Sequence, residues 1–396
     1  MRIEVLSPLR KRLMYGKRRR VFLIGYYGRG NFGDDLMRLC LLAPLRNRGL
    51  RVVSVDGSID DGIARRGGYS AVPQKLKWLW CAVRRSEWVV LGGGTHVHDD
   101  FIPGRIGAAL LTLTKLWVGM LLARRVGARV AAVSVGVGPL TTAFGRLIGR
   151  AIFKQVAFVA VRDRQSRSVL MRLGYRGRLV NTSDVTLILA GQKPNGAGPQ
   201  HVGKRPGTRV IGVCPGGTCT KSRGRTQQEK ERFWYDLGQR LGKYSLGKSR
   251  VELRVFEVCS KGRDSDTGAV RAFLQGVRRS GLRCSKISYN GEPLAFLEQL
   301  ASCDRLVAAR YHSVLAAVIR ERPVFAIAYH DKVVALCQEF GVPFLSTMRL
   351  SDGEWRELYC FLENGRPAPR KITAETASQC VIENLGFLFR SDVREV

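Results

Sequence analysis

At 396 residues the chain is longer than one hydrophobic core usually serves, so its length points to two domains. Its 45% hydrophobic and 25% charged content excludes a disordered chain. Sixty-six Lys and Arg against 32 Asp and Glu give a net charge of +34, and such a surface concentrates anions: phosphorylated metabolites, anionic lipid headgroups or nucleic acid.

Residues 1–20 form a basic leader with no long apolar segment behind it, which is not a secretory signal. Val21–Gly25 is a buried strand by its β-branched and aromatic run. It opens into a glycine-rich turn, Gly25-Tyr-Tyr-Gly28-Arg-Gly30-Asn31-Phe-Gly33-Asp34-Asp35, before a helix expected from Asp35 to about Arg48. Four glycines in nine residues let backbone approach a ligand closely, but the two acidic residues would repel a pyrophosphate, so this is not a dinucleotide fingerprint. One of Asp34 and Asp35 is expected to cap the helix, leaving the other to bind or deprotonate a polyol.

Arg51–Val55 is the next strand, and Trp88–Leu91 another, followed by the segment Gly92-Gly93-Gly94-Thr95-His96-Val97-His98-Asp99-Asp100, read as the wall of a pocket. His96-x-His98-Asp99 invites a metal, yet no further His or Cys cluster completes a site, so none is expected. The apolar stretch Gly107–Ala123 contains Lys115 and lies between strand patterns, so it reads as a buried or interfacial helix rather than a membrane span. Arg129–Val135 and Phe158–Val161 are strands; Arg162 stands at the carboxyl end of the second, before a helix running to Gly174. Asn181–Ala190, with Asp184, closes the first half.

Residues 191–208 shift to Gly, Pro, Gln, Asn and Lys without apolar periodicity, as an interdomain linker does. The second half restarts with the strand Arg209–Val213 and a glycine turn around Cys214–Thr218, then Val251–Val258, a helix from Asp264 to Arg279, an extended Lys286–Tyr289 and a helix from Glu292 to Ala301. Two βα units end it. Asp304–Arg310 leads through Arg310 and His312 into a helix from about Ser313 to Glu321, and Pro323–Tyr329 leads into a helix beginning near Asp331 or Lys332. Parallel α/β sheets bind ligands where strands hand over to helices, and free N–H groups and the helix dipole favour anions there. Arg310, His312 and Lys332 at two such ends make a site for a small, multiply charged anion, and Arg162 repeats the pattern in the first half. A last helix, about Thr373–Phe387, is long enough to pack back on the first domain.

The expected organisation is therefore a leader (1–20), a Rossmann-like domain (21–190), a linker (191–208), a second Rossmann-like domain (209–372) and a C-terminal helical segment (373–396). Two α/β halves facing across a cleft describe a GT-B-like architecture. The ten cysteines fall mostly in apolar runs, and the lone C-x4-C pair Cys214/Cys219 is poor zinc spacing, so they read as reduced core thiols of a cytosolic protein.

Taken in order, the Gly25–Asp35 opening, Leu91-Gly-Gly-Gly94, Val135-Gly-x-Gly-Pro139, Val161-Arg162-Asp163-x-x-Ser166, Asp184, Arg310-x-His312-Ser313 and Tyr329-x-x-Lys332-Val333 resemble the polysaccharide pyruvyl transferase family over residues 21–345. The resemblance implies transfer of the pyruvyl group of phosphoenolpyruvate to two hydroxyls of a glycan or lipid-linked sugar, forming a cyclic ketal and releasing phosphate, with no cofactor beyond the co-substrate and no metal. On it, Arg310, Arg162, Lys332 and Ser313 bind the donor, and His312 is the general acid. Asn31, Gly93, Gly94 and His96 face the acceptor, and Asp34 or Asp35 is the base for a sugar hydroxyl. His96 and His98 depart from the less basic loop expected after the triple glycine.

Two other readings compete. A GT-B glycosyltransferase using a nucleotide sugar fits the architecture equally well, but only Glu257 in the second half is offered to hold its donor. A nucleic-acid-binding protein fits the charge, but aromatic residues make up 8% of the chain and do not interleave with the basic runs, so no nucleic-acid partner is expected. The excess charge is instead expected to favour peripheral contact with an anionic membrane face.

Overall fold

The computed structural model describes residues 20–58, 64–66, 69–99, 106–192, 207–216, 226–248, 250–262, 265–346 and 351–388. The leader up to residue 19, residues 193–206 of the linker, Gly217–Thr218 and Cys219 lie outside the described residues, as does the chain after 388.

Two sheets organise the chain. The first has eight strands: β1 (Arg20–Ile24), β2 (Arg51–Val55), β3 (Ala64–Arg66), β4 (Tyr69–Val72), β5 (Trp88–Val97), β6 (Arg129–Val137), β7 (Phe158–Val161) and β8 (Arg178–Asn181). Their order is β3-β4-β2-β1-β5-β6-β7-β8, parallel throughout except for the β3–β4 edge pair. The second has six parallel strands in the order β11-β10-β9-β12-β13-β14, built from β9 (Arg209–Cys214), β10 (Val251–Glu257), β11 (Ser285–Ser288), β12 (Arg305–Ala308), β13 (Val324–Ile327) and β14 (Phe344–Leu345). Strands covered on both faces read as continuous apolar runs: all four residues of Phe158–Val161 and of Val324–Ile327 are apolar and buried. This is the GT-B-like pair of Rossmann-like units expected from the sequence.

In each sheet the strand order turns at one point, between β1 and β5 in the first and between β9 and β12 in the second. Neighbouring crossovers leave in opposite directions there, opening a crevice at the carboxyl ends of the strands. Helix α1 (Phe32–Asn47) starts from the first crevice and helix α9 (Tyr311–Ile319) from the second. One apolar cluster joins the two units: Phe32 of α1 lies with its ring centroid 5.0 Å from Phe296 of α8 (Pro293–Ala301) and 5.9 Å from Tyr289. Backbone pairing seals the same junction, with Phe32 N–H donating to Val258 O (3.1 Å) and Ser260 N–H to Gly30 O (2.9 Å).

The remaining helices of the first unit are α2 (Leu76–Arg84), α3 (Ile106–Arg125), α4 (Ala143–Phe153) and α5 (Arg164–Arg172). The second unit carries α6 (Gln227–Leu246), α7 (Thr267–Arg279), α10 (Asp331–Phe340) and α11 (Asp352–Asn364). The last helix, α12 (Ala374–Asn384), lies on the first unit: Asn384 Nδ2 donates to Thr182 Oγ1 (3.0 Å), and Phe387 beyond it sits with its centroid 4.8 Å from Trp88.

Three expectations need correction. Helix α1 begins at Phe32, not Asp35, and its cap is Asn31, whose side-chain oxygen accepts from Gly33 N–H at 3.0 Å; neither aspartate caps. The glycines at the start of the segment disguised a helical first turn. Strand β5 does not stop at Leu91: Gly92–Val97 continue it, paired to β6 as far as Val137, so the triple glycine lies within a strand. Finally, α9 starts at Tyr311 with Arg310 as the preceding cap residue, which puts His312 in the helix's first turn.

Candidate active site

Where β7 ends, Arg162 turns into the space between the two units and is buried. Its Nη1 donates to Asp184 Oδ2 (3.2 Å), its Nη2 donates to Thr95 Oγ1 (3.1 Å), and its guanidinium carbon lies 4.6 Å from the centroid of the Tyr311 ring. The Nε–H makes no hydrogen bond, although Asp163 Oδ2 stands 3.8 Å away. Gly136 makes this reach feasible, since a Cβ there would lie 2.7 Å from Thr95 Oγ1 and 3.2 Å from Arg162 Nη2.

Asp184 also meets the second unit. Its Oδ2 faces Nε2 of His312 at 3.3 Å, while Oδ1 accepts from the Thr186 N–H (3.0 Å) and hydroxyl (2.8 Å). Burial opposes its charge, but His312, Arg162 and the Thr186 N–H outweigh that and hold the carboxyl well below the usual range. The loop carrying it is fixed from β6, where buried Ser134 adopts φ 54° at a register shift and its hydroxyl accepts from Val185 N–H at 2.9 Å. On its other side His312 packs against α1: a Cβ on Gly33 would fall 2.1 Å from His312 Nδ1. Burial and the nearby cations Arg162 and Lys332 lower the imidazole pKa, with Asp184 acting in the opposite sense.

The two candidate bases differ sharply. Asp35 is buried and committed: its Oδ1 accepts from Gly28 N–H (2.7 Å) and lies 3.4 Å from Arg38, and its Oδ2 accepts from the Tyr289 hydroxyl (2.9 Å). Asp34 is partly exposed and lies beside Gly94 and His96; its Oδ1 would be 3.4 Å from a Cβ on Gly94. Burial and the Asp35 carboxylate push Asp34 up to about 7, against the pull of Lys332, Arg162 and Arg310. The charges of Lys332, Arg162 and Arg310 thus all act on this one carboxyl.

Arg310 holds Asp266 at the start of α7 through Nε (2.8 Å) and Nη2 (2.7 Å), and the other Asp266 oxygen accepts from Cys259 N–H. Ser313 is buried, with its hydroxyl donating to Arg310 O at 2.7 Å, so it shapes the α9 turn. His330 caps α10, its Nδ1 accepting from Lys332 N–H. Burial pushes its pKa down to about 4, helped by the charges of Lys332, His98 and Arg162. His96 turns back onto Gly93 O, and Asn31 is held by its cap; both line the first unit's side. Asp99 accepts from the N–H and hydroxyl groups of Thr141 and Thr142, so His96, His98 and Asp99 do not converge, and no cluster among the described residues has the makings of a metal site.

The structure thus joins Arg162 and His312 through Asp184, with Arg310, Lys332 and Asp34 coupled to one another by charge, while Asp35 and Ser313 act as supports. Sequence reasoning missed Thr95, Tyr311 and Asp266 as partners and gave Asp184 no role, although Asp184 stood among the ordered motifs. Glu257 accepts from the hydroxyls of Thr267 and Ser288 (2.7 Å each) and pairs with Lys286 (2.8 Å), so both its oxygens are engaged.

Solved structures with the same architecture span almost the whole chain at identities that speak for the fold alone. The UDP-GlcNAc 2-epimerase from Methanocaldococcus jannaschii aligns with a TM-score of 0.59 at 9% identity, covering 93% of this chain and 99% of that one. The UDP-GlcNAc 2-epimerase from Neisseria meningitidis, solved with UDP-GlcNAc, gives 0.57 at 10% identity over 93% and 100%. HepE from Anabaena, in complex with UDP-glucose, gives 0.53 at 11% over 92% and 95%. No curated protein matches the chain. The sequence profile described as polysaccharide pyruvyl transferase matches residues 31–331, from the cap of α1 to the first residue of α10, and with that span of the chain covered, the protein belongs to the polysaccharide pyruvyl transferase family.

Proposed function

We propose that this transferase moves the pyruvyl group of phosphoenolpyruvate onto two hydroxyls of a saccharide, lipid-linked or polymeric, at the cytoplasmic face of the cell envelope. The observation that carries the reading is buried Arg162 between the two units, sharing Asp184 with His312 and keeping an Nε–H without an acceptor, while its charge and those of Lys332 and Arg310 act on Asp34. Phosphoenolpyruvate presents a phosphate and a carboxylate a few ångströms apart, and a site of fixed guanidinium and ammonium groups matches it. A reduced compartment fits the nine free cysteines among the described residues.

The chemistry follows from the two titrating groups. Burial and the nearby cations depress the His312 pKa, but the donor's negative charge would raise it and load the ring with a proton. Protonation of the vinyl carbon C3 makes the methyl group and leaves C2 electron-poor. One sugar hydroxyl adds to C2 and gives its proton to Asp34, whose pKa of about 7 suits a base at neutral pH. The C2–O bond to phosphate then breaks as the second hydroxyl closes the ring. Of the two hydroxyl protons, one balances that on the methyl and the other leaves with hydrogen phosphate. Asp184 positions the imidazole and balances its charge.

The rival reading, sugar transfer from a nucleotide sugar, has support in the UDP-sugar complexes of structures sharing the fold. The engaged oxygens of Glu257 weigh against it. Incubating the protein with phosphoenolpyruvate and a panel of saccharides bearing vicinal or 4,6-diols tests the proposal. Phosphate release matched by an acceptor bearing a pyruvate ketal is the expected result; nucleoside diphosphate release from a nucleotide sugar, with phosphoenolpyruvate untouched, overturns it.

A further inference from the structure

Helix α3 is the one helix among the described residues long and apolar enough to cross a membrane, yet it packs within the α/β layer and only 22% of the window Gly107–Arg125 is buried. Its inner stripe, Ala109, Leu113, Met120 and Ala123, is sealed against the first sheet's outer core. Its outer stripe is not: Leu111, Val118 and Leu122 are 56%, 41% and 39% exposed. The neighbouring α4 continues the patch with Phe144 and Leu147, 47% and 62% exposed. Even the exposed Thr112 turns its hydroxyl back onto Ala108 O (2.9 Å). An apolar surface spread over two adjacent helices marks a docking face.

Charge identifies the occupant. Residues 101–162 contain nine Lys and Arg and no Asp or Glu. Lys115, Arg146 and Arg150 lie exposed on the two helices beside the apolar side chains. A second copy of the chain docking by a two-fold axis would bring these cations against themselves. An anionic bilayer supplies the apolar phase and the countercharge together. The face also has a direction. In parallel βα units each helix starts at the carboxyl end of its sheet, so Leu111, Phe144 and Leu147 lie towards the catalytic end. The start of α4 is tied to the end of β5 by Asp99, through the Thr141 and Thr142 N–H groups (2.5 and 2.8 Å).

We infer that the α3–α4 face is a membrane-docking surface for anionic lipid, seating the site's mouth at the bilayer surface where a lipid-linked acceptor would lie. The docking itself needs no step of the transfer reaction, so it stands or falls separately from that reading.

The experiment is co-sedimentation of the full chain with phosphatidylcholine vesicles and with the same vesicles containing phosphatidylglycerol, at physiological salt. The triple variant Leu111→Ser/Phe144→Ser/Leu147→Ser keeps every charge, and Leu246→Ser/Ile382→Ser removes exposed apolar side chains elsewhere. Wild type and the control are expected to bind the anionic vesicles and not the neutral ones, with the triple variant weaker by about tenfold or more. Equal binding by the triple variant would mean adhesion by overall charge and overturn the inference. So would wild type that ignores anionic vesicles, or binds neutral ones as well, or forms a dimer in sedimentation velocity that the triple variant loses without any vesicle binding. If the triple variant unfolds, Lys115→Glu/Arg150→Glu replaces it, with the same loss expected and unchanged binding overturning the assignment.

Discussion

His312 Nε2 stands 3.3 Å from Asp184 Oδ2, and the two residues come from opposite units of the molecule. The same carboxylate oxygen accepts from Arg162, so one buried anion orients both a candidate proton donor and a candidate donor-binding guanidinium. Replacing His312 by Ala is expected to lower kcat about a hundredfold or more while the fold survives. Asp184→Asn should lower activity as far and, by leaving Arg162 without its buried counter-ion, should also cost about 3 kcal/mol or more of stability. Steady-state kinetics with chemical denaturation of both variants separates the two effects.

Gly33 is where α1 and His312 touch. A methyl at that position would lie 2.1 Å from His312 Nδ1, and the imidazole would have to leave its place beside Asp184. Alanine in a helical first turn is otherwise favourable by about 0.5–1 kcal/mol. Gly33→Ala should therefore lose activity by about tenfold or more with little loss of stability, and denaturation curves run beside the kinetics check it.

Much of this was legible in the sequence. Apolar runs bounded by glycine marked the strands, and the cations at their ends drew attention to Arg162 and His312, which the structure joins through Asp184. What escaped is tertiary. The triple glycine looks like a loop because its residues lack side chains, yet β6 supplies a pairing partner that carries β5 on to Val97. Asp34 and Asp35 are adjacent and chemically identical; Tyr289, distant in sequence, is what turns Asp35 into a structural tie. The engagement of Arg310 by Asp266 likewise depends on a partner from another loop.

Asp34 carries a pH signature. Its folded pKa of about 7 lies above the ordinary 3.8, so the native state holds the proton more tightly than the unfolded chain. The stability it contributes is full below the unfolded value and is lost as pH rises through about 7. Asp34→Asn should raise stability at pH 8 by about 1 kcal/mol and flatten that pH dependence. It should also abolish the rise in wild-type activity through pH 7 and lower kcat about a hundredfold or more. Thermal melts and rate profiles across pH 5–9, roughly the span of the titration, measure both.

The Tyr289 hydroxyl joins the units through Asp35 at 2.9 Å. Tyr289→Phe keeps the aromatic packing against Phe32 and Phe296 and removes one buried hydrogen bond to a charged group. A loss of about 2 kcal/mol is expected in denaturant unfolding, with the site's other contacts intact.

The most direct measurement is the thermal unfolding midpoint of wild type and Lys332→Ala against increasing phosphoenolpyruvate and, separately, UDP-glucose. A ligand bound only by the native state adds about 2.7 kcal/mol at a hundredfold excess over its Kd. A midpoint that climbs with phosphoenolpyruvate, climbs less in Lys332→Ala and ignores UDP-glucose is the predicted result. A midpoint that climbs with UDP-glucose and ignores phosphoenolpyruvate would contradict pyruvyl transfer at this site and leave only the fold.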